Sequence, residues 1–322
     1  MERLQRRRAW IMAATWVLAG IGTASVAALM ITIIQHDGGL AYDLHAYILA
    51  GRHALEGAPL YGEMQIGDPG AYRYPPTFAY LAIPLALPPE LAVTWAYRAA
   101  CLACVRYLTG SWRWTGVALL FEPLQIELVS LNLTLPIAAA ARAALRGSPA
   151  GAALTPTTGA LKYGTVLLLP FLWLRNKRVR GPILIGLAVL AGAFGLHAVL
   201  RPNDWTAYAV SLVQQSASIN QAPFVGSQLL VVVPSTLWDF VLRFAICAAM
   251  TAVAIWRGWG WLAFTAAALA VPTLWVARLS ALVGVPRLWW EDATLRAAWR
   301  RQAGERTGPR PREPGPASTQ PR

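Results

Sequence analysis

The 322-residue chain is 56% hydrophobic and 13% charged, with a mean hydropathy of +0.44, which excludes an ordinary soluble domain and predicts an all-α polytopic membrane protein. Its formal charge of +13 does not argue for nucleic acid, because the basic residues stand in short clusters beside hydrophobic runs. Arg3, Arg6, Arg7 and Arg8, then Arg175, Lys177, Arg178 and Arg180, then the tail from Arg287 follow the positive-inside pattern, with an attraction to anionic membrane lipids. All 28 basic residues except Lys162 and Lys177 are arginine, which suggests a GC-rich bacterial genome.

In chain order, Ala9–Ile34 is the first run long enough to cross a bilayer, for which about 20 residues suffice. The arginines before it are like those of a signal peptide. The run is longer than the roughly 7–15 apolar residues of a signal core, however, and Thr15–Ala28 shows no cleavage context. The sequence therefore predicts an uncleaved transmembrane helix with a cytoplasmic N-terminus, which delivers Gln35–Pro76 to the outside. Within that segment, Asp43 to Leu55 reads as an interfacial helix. Tyr47, Ala50, Gly51 and Ala54 form a small-aromatic stripe, His45 and Arg52 share a polar one, and Gly57 and Pro59 end it.

Tyr74-Pro75-Pro76 opens a hydrophobic run to Leu87, since proline suits a first helical turn and restrains the residue before it. Pro88-Pro89 turns the chain and Glu90–Leu108 returns. Glu122, Gln125, Glu127 and Asn132 then stand among apolar residues. Such groups are costly in hydrocarbon, so they are expected to face a cavity, an interface or each other.

Two further runs, Leu128–Leu145 and Ala150–Leu174, follow. The second is flanked by arginines at both ends, and two readings stay open. A hairpin of half-helices broken around Pro156 and Lys162 keeps both flanks in the cytoplasm; a single span does not. Gly181–Leu200, Leu237–Trp256 and Trp259–Val285 complete about 8–10 transmembrane or half-membrane helices. Asp204–Val213 reads as a second interfacial helix and Ser218–Phe224 as a loop. Residues 1–290 form the membrane domain, and 291–322 a basic, Pro-rich cytoplasmic tail expected to be disordered.

Few residue types here suit chemistry. Asp43, at the outer boundary beside an amphipathic helix, fits a general base; a helix cap or a solvated loop acid is the plain alternative. Asp37 and Asp68 are similar acids with weaker placement. Lys162 stands inside an apolar run, where a cation is functional by default and a phosphate is its natural partner, against structural pairing or snorkelling. Arg278 has the same status, and Arg73, just before the Tyr-Pro-Pro corner, is placed to meet an anionic head group or water. Cys101 and Cys104 form a C-x-x-C inside an apolar segment and read as small helix residues. The four histidines lack zinc spacing, and neither P-loop nor dinucleotide fingerprint occurs. The Asn132-Leu133-Thr134 sequon lies in an apolar stretch and carries no glycan reading.

Asp43 with Tyr47 four residues on, the small-residue helix, Gly57-x-Pro59-x-Tyr61 and Tyr74-Pro75-Pro76 together resemble glycosyltransferase family 87, the polyprenyl-phosphate-mannose-dependent mannosyltransferases of the GT-C superfamily. Pro84–Pro88 is similar to the family's short turn, Gln125–Asn132 to its polar segment, Gly159–Tyr163 to its small-residue-then-Lys pattern, and Ser218–Gln221 to its Asn-Gln loop. The chain departs in keeping Pro272 and Trp275 without the family's following His, and in being short. The resemblance implies a GT-C-like fold with an interfacial helix in the first extracytoplasmic loop. It also implies inverting transfer of a mannosyl or other hexosyl unit from a polyprenyl-phosphate donor to a glycolipid or glycan acceptor at the outer face of the cell membrane. Asp43 would be the base; Lys162, Arg278 and Arg73 would hold the donor phosphate; Tyr47, Tyr74, Gln125, Asn132, Asn220 and Gln221 would line the substrate. No cofactor is required, and no acidic cluster calls for a divalent cation. Two other readings remain. A transporter or flippase also uses intramembrane charges and broken helices, and the missing His and short length fit an inactive scaffold subunit.

Overall fold

A chain in hydrocarbon must satisfy each backbone N–H and C=O within itself, and an apolar sequence without strand alternation does so as helices. The computed structural model describes residues 2–37, 41–62, 72–219, 236–270 and 276–293, and every regular element among them is helical. Two helices are long and apolar enough to cross a membrane: Gln5–Gln35 within α1 (Glu2–Asp37), and Lys177–Leu200, which contains α11 (Arg180–Leu200). α7 (Glu122–Ser130) and α8 (Thr134–Leu145) make a third if a pair bent by 112° counts as one broken span. Apolar side chains of α11 face outward, Ile185 at 63% and Val189 at 66% exposure. Such a surface calls for lipid, so the chain is an all-α, membrane-associated protein.

Small residues set the helix contacts. α1 lies so close to α6 (Trp112–Ala118) that a Cβ on Gly22 would stand 2.2 Å from Gly116 O, and one on Gly116 would stand 2.6 Å from the Ala19 Cβ. α11 meets α9 (Pro149–Leu161) in the same way, with Gly186 against Ala153 O. Close backbone approach is how helices gain dispersion energy where no hydrophobic effect drives them together.

α2 (Tyr42–Glu56) covers the expected Asp43–Leu55 helix, and Tyr47, Ala50, Gly51 and Ala54 are all buried. Gly57, at φ 71°, caps it and donates its N–H to His53 O. The polar stripe has a partner: Glu90, at the start of α5 (Glu90–Thr109), takes His45 Nδ1 at 2.6 Å and Arg52 Nη2 at 3.6 Å. A carboxylate there also faces the positive end of the α5 dipole. The run from Pro76 is not one helix. It stops as α3 (Pro76–Leu81), turns at Ala82, and resumes as α4 (Ile83–Ala86), because Pro84 has no N–H to continue the ladder. The turn receives α2: a Cβ on Gly51 would be 2.7 Å from Ala82 O.

The segment with two basic flanks is broken. α9 ends at Leu161, Lys162 is extended at φ −137° and ψ 95°, a 3-10 segment covers Tyr163–Leu167, and α10 (Leu168–Arg175) follows. The break falls at Lys162; Pro156 lies inside α9. Gly164 is pressed between Ala267 O and Ala270 O at the end of α14 (Gly260–Leu269), which no larger residue would permit.

α12 (Pro202–Ile219) contains the helix expected over Asp204–Val213. It docks through Asp204, whose Oδ2 accepts from Tyr80 at 3.3 Å and lies 3.4 Å from His197 Nε2; His197 Nδ1 is 3.1 Å from Thr77 Oγ1. After α13 (Thr236–Arg257), α14 and a 3-10 segment (Val276–Gly284), a helix runs over 285–293. Glu291 accepts from Arg142, Arg146 and Arg287, and Asp292 from the Trp261 N–H, so these first residues beyond 290 are packed. Residues 294–322 lie outside the described residues. Cys101, Cys104 and Cys247 are free thiols.

The α9–α11 contact has a built-in comparison. Gly192, on the same helix as Gly186, has open space where a Cβ would go. Gly186→Ala is expected to lower thermal stability in detergent by about 1–3 kcal/mol, the cost of overpacking. Gly192→Ala is expected to leave it unchanged or raise it slightly.

Candidate active site

The turn between α7 and α8 builds the site. Leu131 closes α7 by donating its N–H to Glu127 O at 2.8 Å. It then adopts φ 55° and ψ 50°, and is the one non-glycine residue at positive φ among those described. A left-handed conformation costs a β-carbon residue about 1–2 kcal/mol. The surroundings hold it: its side chain is fully buried, and the carboxylate of buried Glu127 accepts from the Thr134 N–H at 3.0 Å, anchoring the first turn of α8. The strained turn leaves Asn132 projecting between helices.

Asn132 joins two charges that do not touch. Its Nδ2 donates to Asp43 Oδ2 at 2.9 Å, while its Oδ1 accepts from Lys162 Nζ at 2.6 Å, from the Leu133 N–H at 2.7 Å and, more weakly, from Tyr47 OH at 3.4 Å. The two ends of the amide are thereby assigned, since only NH2 suits the carboxylate and only the oxygen suits the ammonium. Tyr97 OH donates to the Asn132 main-chain oxygen at 3.4 Å. Asp43 comes from the first turn of α2, and Lys162 from the break after α9. The α2 cap is Ala41, without a side-chain bond, so Asp43 is not the helix cap.

Tyrosines wall this group on one side. Tyr47 OH and Tyr74 OH are 3.1 Å apart, Tyr61 OH donates to Tyr74 O at 2.7 Å, and Tyr72 OH donates to Pro75 O at 2.9 Å. Burial pushes all four phenols above the ordinary tyrosine value, with neighbouring phenols and, at Tyr47, Asp43 adding to it; Arg278 partly offsets the rise at Tyr74.

Lys162 lies within electrostatic reach of Arg278, Glu127 and Asp43. Neither Lys162 nor Arg278 forms an ion pair among the described residues, and the buried Arg278 Nε has no hydrogen-bond partner. Both cations line a narrow cavity of about 40 Å³, whose other walls include Ala138, Ala141, Phe264 and Ala267. That volume admits a few waters. Among the described residues no three His, Cys, Asp or Glu side chains converge as metal ligands.

The structure thus brings together Asp43, Tyr47, Tyr74, Asn132, Lys162 and Arg278. Gln125 is elsewhere, with its amide on Leu119 O at 2.7 Å and Ser25 Oγ at 3.2 Å. Arg73 is exposed beside Tyr74 in the chain, and Asn220, Gln221 and Asp68 lie outside the described residues. Sequence reasoning gave no role to Tyr97, and treated Glu127 only as a costly buried acid. Its seven-residue spacing from Thr134, across the Leu131 turn, is the signal that ties it to α8. No protein-family model, curated protein or solved structure matches the chain.

Two outcomes are expected. Asn132→Leu strips both charges of a neutral partner and should lower thermal stability by about 1.5–3 kcal/mol, the worth of a hydrogen bond to a charged group. The buried phenols hold their protons past the unfolded value of 10.0, so their stabilisation is intact below pH 10 and is lost as the pH climbs above it. Phenolate absorbance should accordingly show a class of tyrosines that ionises only on unfolding, with the thermal midpoint falling above pH 10.

Proposed function

We propose that the chain is an inverting glycosyltransferase that moves a mannosyl or other hexosyl unit from a polyprenyl-phosphate donor to a glycolipid or glycan acceptor. The observation that carries this reading is the meeting of one carboxylate, Asp43, with Lys162 across the single amide of Asn132, and a second cation, Arg278, lining the same cavity as Lys162. Transfer from a lipid phosphate needs a base on one side of the sugar and positive charge on the other.

In this scheme Asp43 takes the proton from an acceptor hydroxyl. The oxygen attacks the anomeric carbon from the face opposite the phosphate, the carbon–oxygen bond to phosphate breaks, and its electron pair leaves with the lipid phosphate. Lys162 and Arg278 neutralise the charge that develops there. The configuration inverts, so a β-linked donor gives an α-linked product. The proton on Asp43 passes to water. Tyr47 and Tyr74 orient the acceptor beside the base, and Asn132 keeps Asp43 and Lys162 at fixed separation between turnovers.

The same proposal places this chemistry in a polytopic, GT-C-like bundle in the cell membrane. The N-terminus and tail face the cytoplasm, as the arginine clusters favour, and the site faces outward. A transporter or flippase is the second reading, favoured by the helix break at Lys162 and the sharp bend before Asn132, since broken helices carrying charge also line translocation paths.

Proteoliposomes supplied with radiolabelled polyprenyl-phosphate-mannose and lipids extracted from the source cells test it. Label should reach a new lipid with the wild type and fall by at least about 10²-fold with Asp43→Asn, the usual contribution of a general base. Label that moves across the bilayer without changing its chemical form would support the transporter. Equal transfer by wild type and variant would remove Asp43 from the mechanism.

A further inference from the structure

A second charged feature stands apart from the Asp43 network, where three helices end together. Trp173 and Arg175 close α10, Lys177 and Arg180 form the turn into α11, and Trp256 and Arg257 close α13. Arg175 Nη2 donates to Trp256 O at 2.6 Å and Arg180 Nε to Trp173 O at 2.7 Å. The Arg180 guanidinium lies 5.4 Å from the Trp173 ring centroid, and that of Arg257 lies 4.2 Å from the Trp256 centroid. Each guanidinium is thus oriented by a backbone carbonyl, by indoles (Arg257 also lies 5.7 Å from the Trp259 centroid) or by both, with donors left over.

Acids are sparse around these cations, and the Asp292 carboxylate, packed beside Gly260, accepts from the Trp261 N–H. The sequence has no Asp or Glu from 147 to 203 or from 240 to 290, and Arg175, Lys177, Arg180 and Arg257 form no ion pair among the described residues. The indoles are open, with Trp256 at 70% and Trp173 at 38% exposure, and beside them runs the outward-facing apolar surface of α11. Tryptophan settles at the depth of lipid head groups, where its ring meets acyl chains and its N–H meets water. Arginines stacked on those rings therefore sit at the depth of the lipid phosphates. A planar guanidinium matches a phosphate's paired oxygens, and an excess of positive charge in that layer favours lipids that bring a net negative one.

We infer that this corner binds the head group of an anionic phospholipid, a phosphodiester with net negative charge, in preference to a zwitterionic one. The phosphate lies against Arg175, Arg180 and Arg257, Lys177 adds longer-range attraction, and the acyl chains run down α11 between the two tryptophans. The site shares no residue with the Asp43 network and does not depend on the transferase reading.

Tryptophan fluorescence of the full chain in a neutral detergent tests this, with brominated phosphatidylglycerol or brominated phosphatidylcholine as quencher. The wild type should be quenched at lower phosphatidylglycerol than phosphatidylcholine. Combining Arg175→Gln, Arg180→Gln and Arg257→Gln should cut that preference by at least tenfold, since each cation near a membrane surface is worth about fivefold. The three Lys replacements should keep most of it. Trp173→Leu with Trp256→Leu leaves every charge in place and should abolish the extra quenching by phosphatidylglycerol, because those two indoles stand nearest its bromines. Equal quenching by the two lipids in the wild type would overturn the inference. So would a phosphatidylglycerol preference that survives the Gln variant, which would assign it to the Arg-rich termini, or extra quenching that survives loss of both tryptophans.

Discussion

A carboxylate and an ammonium taken out of water either collapse onto each other or need something polar held between them. Here a neutral amide does the holding. Asn132 accepts from Lys162 and donates to Asp43, so both charges are satisfied without being joined. Much of the surrounding structure positions that one side chain. The left-handed Leu131 aims it, Glu127 fixes the helix that leaves it, and α2 brings Asp43 to it. The backbone turns extended at Lys162 after α9, its N–H still held by Thr158 O and its carbonyl by Thr165, and from there the side chain reaches the same amide. A direct Asp–Lys ion pair would be a closed unit. An amide spacer leaves each charge with further bonding capacity.

The bundle is polar at both ends, but in different ways. Around Asn132 charges of both signs and phenols are interlocked. About 18 Å away, along the 12 residues of α8, arginines predominate, and Glu291 and Asp292 anchor the last helix among them. Between the ends, contacts are made by glycine and alanine, as at Gly22, Gly116 and Gly186. An apolar middle stitched by small residues transmits little polarity, so the charges at the two ends are electrostatically separate.

What could be read from the chain follows from how local each feature is. α2 was legible because its stripes repeat at helical spacing and Gly57 marks its end; the burial of the small-aromatic stripe, and the shared Glu90 partner of His45 and Arg52, came only with the fold. Asp43 and Lys162 stood out as charges in the wrong solvent. The Asn132 link was not legible, because it joins residues 89 and 30 positions away through a backbone conformation that leucine rarely adopts. Asn132 stood out only as one of several polar residues in an apolar stretch, with nothing local to name its partners. Gln125 illustrates the converse. A polar residue in an apolar run was expected to face something, and it does, but its partners are Ser25 on α1 and the Leu119 carbonyl in the turn before its own helix. Composition says that a buried amide must be satisfied; only the fold says by whom.

Glu291 has a meaning for where the chain can be cut. Arg142 is buried, with one nitrogen on the carbonyl of Tyr107, its guanidinium over that ring, and another nitrogen on the Glu291 carboxylate. Arg146 and Arg287 share the same oxygen of that carboxylate. The last turn of the last described helix thus supplies the counter-ion of a cation buried inside the bundle. A protease or a stop codon acting just before Glu291 would strand that cation without its carboxylate, so the sequence needed for folding reaches at least to this residue.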